Sequence, residues 1–417
     1  MTGQQRSTAM KIDREAKTLD LDPHDPDFLA DPYPAWRIIR ETAPVVFWKQ
    51  YGFWCLFEYG TISAALRDPR LGRSLTHLAT REELGWDPVP DAVKPFYAVD
   101  DLTLLEQEGA SHTRLRRLMN RAFVTSQIAA LVPRLTGIVN DLIDKFPEHA
   151  PFDLITAFAT PVPLRIITGM LGVPDESGPQ LLEWSHRMVR MYHFGRTTED
   201  EALAVAATRD FSDFIREFLT LRATGSREGL IGRLLNARDD GEQITDDELV
   251  ANCILLLNAG HEATVHALGN GVSAILDSGI PPETLFASEK AVTKTVEECL
   301  RFDTPLQLFT RYALEDLDIS GIHLKRGEKI GLLLGAGSHD PAIAPRPDLF
   351  SPGQATRHLT FGGGIHFCLG APLARLEMQI ALPLLFRRCP ELRLETPPVR
   401  ADSFHFRGVE SLMVRKT

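Results

Sequence analysis

The sequence predicts a mainly α fold with a small β portion. Three observations predict it. Helical periodicity dominates residues 101 to 301. Inside that stretch, the run from Asp246 to Leu276 suits one helix of about 45 Å at 1.5 Å per residue. Strand-like residues gather only at 44–58 and after Phe302.

Taken in order, the first segment is rich in Asp and Pro (Asp20, Asp22, Pro23, Asp25, Pro26, Asp31, Pro32, Pro34) and reads as a loop leading to a short helix. Residues 44–58 are aromatic and β-branched around a Tyr51-Gly52 break, which predicts a hairpin. From His112 to Phe123, Leu115, Leu118, Met119 and Ala122 recur at helical spacing. Gln180–Tyr192 and Thr198–Leu221 read as helices joined by a loop. A polar break at 238–246 follows, with Thr245 as N-cap of the long helix. The first half of that helix (LVANCILLL) is apolar all round, so it belongs inside the protein. A helix from Glu289 to Arg301 comes next, then short strands and turns from Phe302 to Thr360, where Pro345, Pro347 and Pro352 mark an irregular coil. The Gly-rich loop from Phe361 leads to Cys368 and a helix over Pro372–Arg388, and the tail is strand-like. No linker composition interrupts the chain, so residues 1–417 are expected to form one domain.

Composition narrows the function. The 417 residues carry 45 Lys+Arg against 56 Asp+Glu, a net charge of −11. That argues against a general nucleic-acid or anionic-membrane binder. The five cysteines, Cys55, Cys253, Cys299, Cys368 and Cys389, are scattered and form no CxxC pair. A disulfide framework or structural zinc site is not expected, and a reducing compartment is. The first twenty residues lack the apolar centre of a signal peptide. Asn258, His261, Glu262, His266 and Asn270 make the long helix expensive as a membrane span. A cytoplasmic location follows as the expectation.

Several residue groups could carry chemistry. Cys368 sits just ahead of a helix, where backbone N–H groups, helped by Gly370, should stabilise a thiolate and lower its pKa. The segment His261-Glu262-Ala263-Thr264-Val265-His266 nearly matches a HExxH zinc motif. Its histidines are five apart, about 140° from one another around the helix, so one face cannot present both. Glu262 in a largely apolar helix should face a polar cavity. Glu298 and Arg301 lie opposite the apolar stripe of their helix, and pattern alone reads them as a solvated pair worth about 0.2–0.5 kcal/mol. Arg114, Arg117 and Arg121 form a basic stripe suited to docking an acidic partner. His112 and Arg116, on another face, could jointly bind an anion. No dinucleotide, Walker or Gly-x-Ser-x-Gly motif is present.

Together these segments resemble the cytochrome P450 superfamily of bacterial type, over nearly the whole chain. Phe361, Gly362, Gly364, His366, Cys368 and Gly370 match its FGxGxHxCxG loop, Glu298 to Arg301 its ExxR, and Ala259-Gly260-His261-Glu262 most of its AGxET helix motif. The resemblance implies a single prism-shaped domain, with haem b between the long central helix and the Cys-loop helix. Cys368 would be the axial thiolate. His112, Arg116, Arg311 and His366 would meet the propionates, and Phe361, Gly362, Gly370 and Ala259 would line the cofactor. Glu298 and Arg301 become a structural pair, with Gln354 or the nearby Arg357 as third member.

The departure lies at Ala263, where the family usually has a Thr that supports proton delivery during oxygen activation. Thr264 is one step, about 100°, away and is a poor substitute. A substrate hydroxyl, or water held by Glu262, would then supply the proton. Gly260, Glu262, Ala263 and Thr264 form the expected catalytic stretch. The implied activity is insertion of one oxygen atom of O2 into a small or medium apolar substrate. Electrons would come from a ferredoxin and its NAD(P)H-dependent reductase, docked at Arg114, Arg117 and Arg121, since 417 residues leave no room for a fused reductase. Ala259, Ala263, Leu306, Phe309, the loop 75–100 and the lid 184–197 (Trp184, Met188, Met191, Tyr192, Phe194) would line the pocket. Peroxide-driven or oxidative-coupling chemistry, and a non-catalytic haem or ligand sensor, are the alternatives.

Overall fold

The computed structural model describes residues 10–121, 123–224, 229–239, 244–355 and 357–416. Ala122, residues 240–243 of the polar break and the first nine residues lie outside them. Among the described residues, no single helix is long and apolar enough to cross a membrane.

The central helix, Asp246–Ser278, forms as its sequence signals require. Thr245 caps it: its hydroxyl accepts from the Glu248 N–H at 3.1 Å, and the Glu248 carboxylate accepts from the Thr245 N–H at 2.9 Å. Gly279, left-handed at φ +66°, ends it. Pro161–Leu171, Gly178–Val189, Thr198–Thr224, Lys94–Asp100, Glu289–Phe302 and Ala371–Arg388 pack around it. That wrapping explains the all-round apolar first half: Leu249, Val250, Cys253, Ile254 and Leu257 are all at most 1% exposed. Gly271 admits the other two functional helices, since a Cβ there would stand 3.3 Å from Cys299 Sγ and 3.5 Å from Met378 Cε.

The predicted hairpin pairs Val45–Trp48 with Phe53–Leu56 around Gly52, at φ +71°. It is part of a larger sheet. Across that sheet run Lys11–Asp13, Thr18–Asp20, Val45–Trp48, Phe53–Leu56, Lys329–Leu333, Leu308–Ala313 and Leu71–Gly72. The first two strands correct the sequence reading of a loop there; strands of three residues are too short for an alternating pattern to show. Phe53–Leu56 joins Lys329–Leu333 in parallel, with Ile330 opposite Trp54. Leu308–Ala313 pairs with Leu71–Gly72 at the other edge, which sets Arg73 beside Arg311. Trp36 packs edge-on against Phe28, Trp48 and Phe404 in one core cluster.

Candidate functional site

The Gly-rich loop folds back on itself. The Cys368 N–H donates to the Phe361 carbonyl at 3.0 Å, and the Phe367 N–H to that of Gly364 at 3.1 Å. Gly364 has φ +68°, and a Cβ there would lie 2.1 Å from the Leu66 carbonyl oxygen, so only glycine fits. Water reaches Cys368, and Ile365 and Phe367 stand 59% and 40% exposed around it. Its sulfur is nevertheless crowded by protein. Burial pushes the thiol above its usual value, against the Gly370 and Ala371 N–H groups and the charges of Arg116 and Arg375. This corrects the predicted lowering: the donors are in place, but crowding outweighs them. A metal ion bound at the sulfur would favour loss of that proton.

A buried cationic cluster lies beside the loop. Arg311 is 2% exposed, and its only hydrogen bond among the described residues goes to the carbonyl of Thr310. Burial and the neighbouring Arg73 charge bring it down to about 10. His112 is 3% exposed, with no partner for Nε2 among the described residues. Burial and His366 hold it at about 4. Arg116, half-buried, acts on the Cys368 sulfur.

Sequence reasoning missed Arg73, Glu106 and Glu108, which no motif marks. Arg73 pairs with Glu106, and Glu108 accepts from the Arg73 N–H at 2.5 Å and from His366 Nε2 at 2.9 Å. His366 is therefore already engaged by a carboxylate. Phe309, predicted for the substrate pocket, has Arg73 and Arg311 over its ring at 5.7 and 5.6 Å and belongs to this cluster.

The central helix opens in its middle. Ala259 is exposed and Ala263 half-buried, four residues apart on one face. Glu262 is flanked by His186 Nε2 at 3.4 Å, His266 Nε2 at 3.3 Å and His261 Nε2 at 3.6 Å. Burial would raise its pKa, but the His266 hydrogen bond and the three imidazoles hold it at about 2. The expected polar setting is therefore supplied by histidines, one of them from the helix Gly178–Val189. Thr264 is 5% exposed, its hydroxyl 3.4 Å from the Gly260 carbonyl, so it does not take the place of a Thr at 263.

Of the lid residues, Trp184 packs against Phe211 and Phe214 at 5.5 and 5.8 Å and is core. Met188 and Met191 are each 4% exposed. Tyr192 donates to buried Asp100 at 2.6 Å, tying the lid to Lys94–Asp100. Phe194 lies 4.7 Å from Tyr51. Leu306 is half-buried and bridges to Phe406.

Glu298 and Arg301 are 2% and 1% exposed, which overturns the solvated pair that pattern alone suggests. Arg301 grips both carboxylate oxygens at 2.8 Å and donates to the carbonyls of Ser338 and Pro347 at 3.3 and 3.0 Å. Gln354 Nε2 completes the triad at 2.8 Å from Glu298 Oε1, and Arg357 is not part of it. The irregular coil covers the pair, and no spacing within the helix reveals a cover that comes from elsewhere in the chain.

The sequence model described as Cytochrome P450 matches residues 92–278 and 281–412. The chain belongs to the cytochrome P450 family. The polyketide biosynthesis cytochrome P450 PksS of Bacillus subtilis is 31% identical over 404 residues, 94% of this chain and 97% of that protein. The vitamin D(3) 25-hydroxylase of Pseudonocardia autotrophica is 34% identical over 393 residues, 93% of this chain and 92% of that one. A crystal structure of P450BioI in complex with hexadec-9Z-enoic acid ligated acyl carrier protein is similar at a TM-score of 0.86 and 30% identity, covering 94% and 100% of the two chains.

This P450 is thus an oxidoreductase with the haem monooxygenase reaction of its relatives, and its cofactor is haem b, iron protoporphyrin IX. The residues present fit that group. A buried guanidinium and an imidazole to which no carboxylate is hydrogen-bonded among the described residues suit two propionates. An exposed cysteine flanked by exposed apolar side chains suits an iron in a flat apolar ring.

Proposed function

We propose that this chain is a haem-thiolate monooxygenase inserting one atom of O2 into a small or medium apolar organic substrate by hydroxylation or dealkylation. It takes electrons from a ferredoxin and its NAD(P)H-dependent reductase in the cytoplasm, and residues 1–417 act as one domain. Cys368 would ligate the iron, and Arg311, His112 and Arg116 would hold the propionate edge. Bound haem supplies the activation of O2.

The observation carrying the reading is the apolar opening at Ala259 and Ala263 next to a charged Glu262. It combines an apolar surface for substrate with a carboxylate that can hold water. Since Thr264 is engaged with Gly260, the substrate or this water must complete proton delivery. The proximal side supports docking. Arg117 and Arg121 are exposed, and Arg67, Arg357 and Arg375 line a hollow of about 440 Å³ with Phe361 and Phe367. Arg114 instead pairs with Glu248 at the central helix start.

A carbon monoxide difference spectrum of the reduced protein tests the ligand: a thiolate-type Soret shift in the wild type and its loss in Cys368→Ala are expected. Product formed per NAD(P)H in Ala263→Thr tests proton delivery. Unchanged or poorer coupling on the true substrate is expected, and far better coupling rules out substrate assistance. The same Ala263 favours one second reading, a peroxide-driven or oxidative-coupling enzyme. Turnover with hydrogen peroxide faster than with ferredoxin and NADH would establish it.

A further inference from the structure

We infer that His186, His261 and Glu262 form a site for one transition-metal dication of the zinc type, clasping the helix Gly178–Val189 to the central helix. The inference stands independently of the haem reading. The three donor atoms lie within 4.8 Å of one another. Glu262 Oε2 is 3.4 Å from His186 Nε2 and 3.6 Å from His261 Nε2. With metal–ligand bonds of about 2.0–2.2 Å, the edge of a tetrahedral site is about 3.3–3.6 Å. Both contacts to the carboxylate fall at that length.

Tautomer chemistry supplies a second argument. His261 Nδ1 sits 3.4 Å from the Leu257 carbonyl oxygen, which only accepts, so Nδ1 carries a proton. In the neutral ring Nε2 then presents a lone pair 3.6 Å from a carboxylate oxygen, a repulsion that a bound cation relieves. The Leu257 bond also orients the ring as outer partners of zinc histidines do. His266 Nε2 holds the second carboxylate oxygen, Oε1, at 3.3 Å and leaves Oε2 to the metal. His186 has a side chain 54% exposed, which opens an entry path and a fourth position for water. Two imidazoles and a carboxylate select zinc over magnesium or calcium, which prefer oxygen sets. This donor set differs from the rejected HExxH reading, because His186 comes from another helix and His266 supports rather than binds.

Occupancy would pin the lid helix and engage the carboxylate that faces the pocket, so zinc would inhibit turnover. The test is titration of chelator-treated holoenzyme with Zn²⁺, bound metal being read by competition with a chromogenic chelator. One zinc per chain is expected, with affinity falling at least tenfold in His186→Ala and recovering in His186→Cys, where a thiolate replaces the imidazole. Zinc-edge absorption spectra should show imidazole ligation in the wild type. His186 is at the surface, and an unchanged carbon monoxide difference spectrum confirms that the variants are folded. Absence of stoichiometric zinc, or equal affinity in His186→Ala, overturns the site.

Discussion

Gln354 shows how much a single side chain contributes when it meets a buried charge. At 2% exposure, Glu298 accepts hydrogen bonds from Arg301, the Ser351 N–H and Gln354. Removing one neutral donor costs about 1–2 kcal/mol. Removing Arg301 leaves an uncompensated carboxylate, about 3–5 kcal/mol. Denaturant unfolding of the holoenzyme should therefore rank Gln354→Ala as mild and Arg301→Ala as severe, with loss of haem. Equal effects would show that Arg301 is not the main partner. Resemblance to the family's motifs marked Glu298, Arg301 and Cys368 in the sequence and left the third member between Gln354 and Arg357. Arg73, Glu108 and His186 were not legible there, because pairing between distant segments, not local pattern, places them. The thiol shift at Cys368 was misread for a related reason: local donors are visible in sequence and burial is not.

Among the elements, the helix Ala371–Arg388 carries an unusual cost. Glu377 on it is 1% exposed, neither carboxylate oxygen has a partner among the described residues, and burial pushes its pKa up to about 8 from the ordinary 4.5. A carboxyl whose folded pKa is raised binds its proton more tightly in the native state. Its stabilising contribution is full below about 4.5 and is lost as pH rises toward about 8. Melting temperatures between pH 6 and 9 should fall in the wild type and fall less in Glu377→Gln; parallel curves would show that Glu377 finds a partner. The start of the long helix was readable from its cap Thr245, whereas its end came two residues later than the expected Leu276, at Ser278 before Gly279. The two-to-three-residue strands were not readable, since they hold too few residues for a period and depend on partners far along the chain.

Across the whole molecule, the net charge of −11 matters less than where its exceptions lie. Exposed Arg117 lies on the helix Gly109–Asn120 with His112 and Arg116, and exposed Arg121 directly follows it, so reversing both arginines should slow reduction by ferredoxin without altering the haem spectrum. Oppositely charged partners associate faster at low salt, and the Debye length shrinks to about 3 Å at 1 M. The gap between wild type and Arg117→Glu/Arg121→Glu should therefore close as salt rises. A gap that persists at high salt would place docking elsewhere.

The shared sheet has a consequence in time. The early hairpin finds its parallel neighbour only at Lys329–Leu333, and Arg73 meets Arg311 only through strands from both ends of the chain. At synthesis rates of about 5–20 residues per second, that hairpin waits tens of seconds on the ribosome for its partner. Glu108 likewise waits for His366. A complete pocket therefore requires almost the entire polypeptide, and nascent chains cut short before the Gly-rich loop are expected to leave the ribosome colourless.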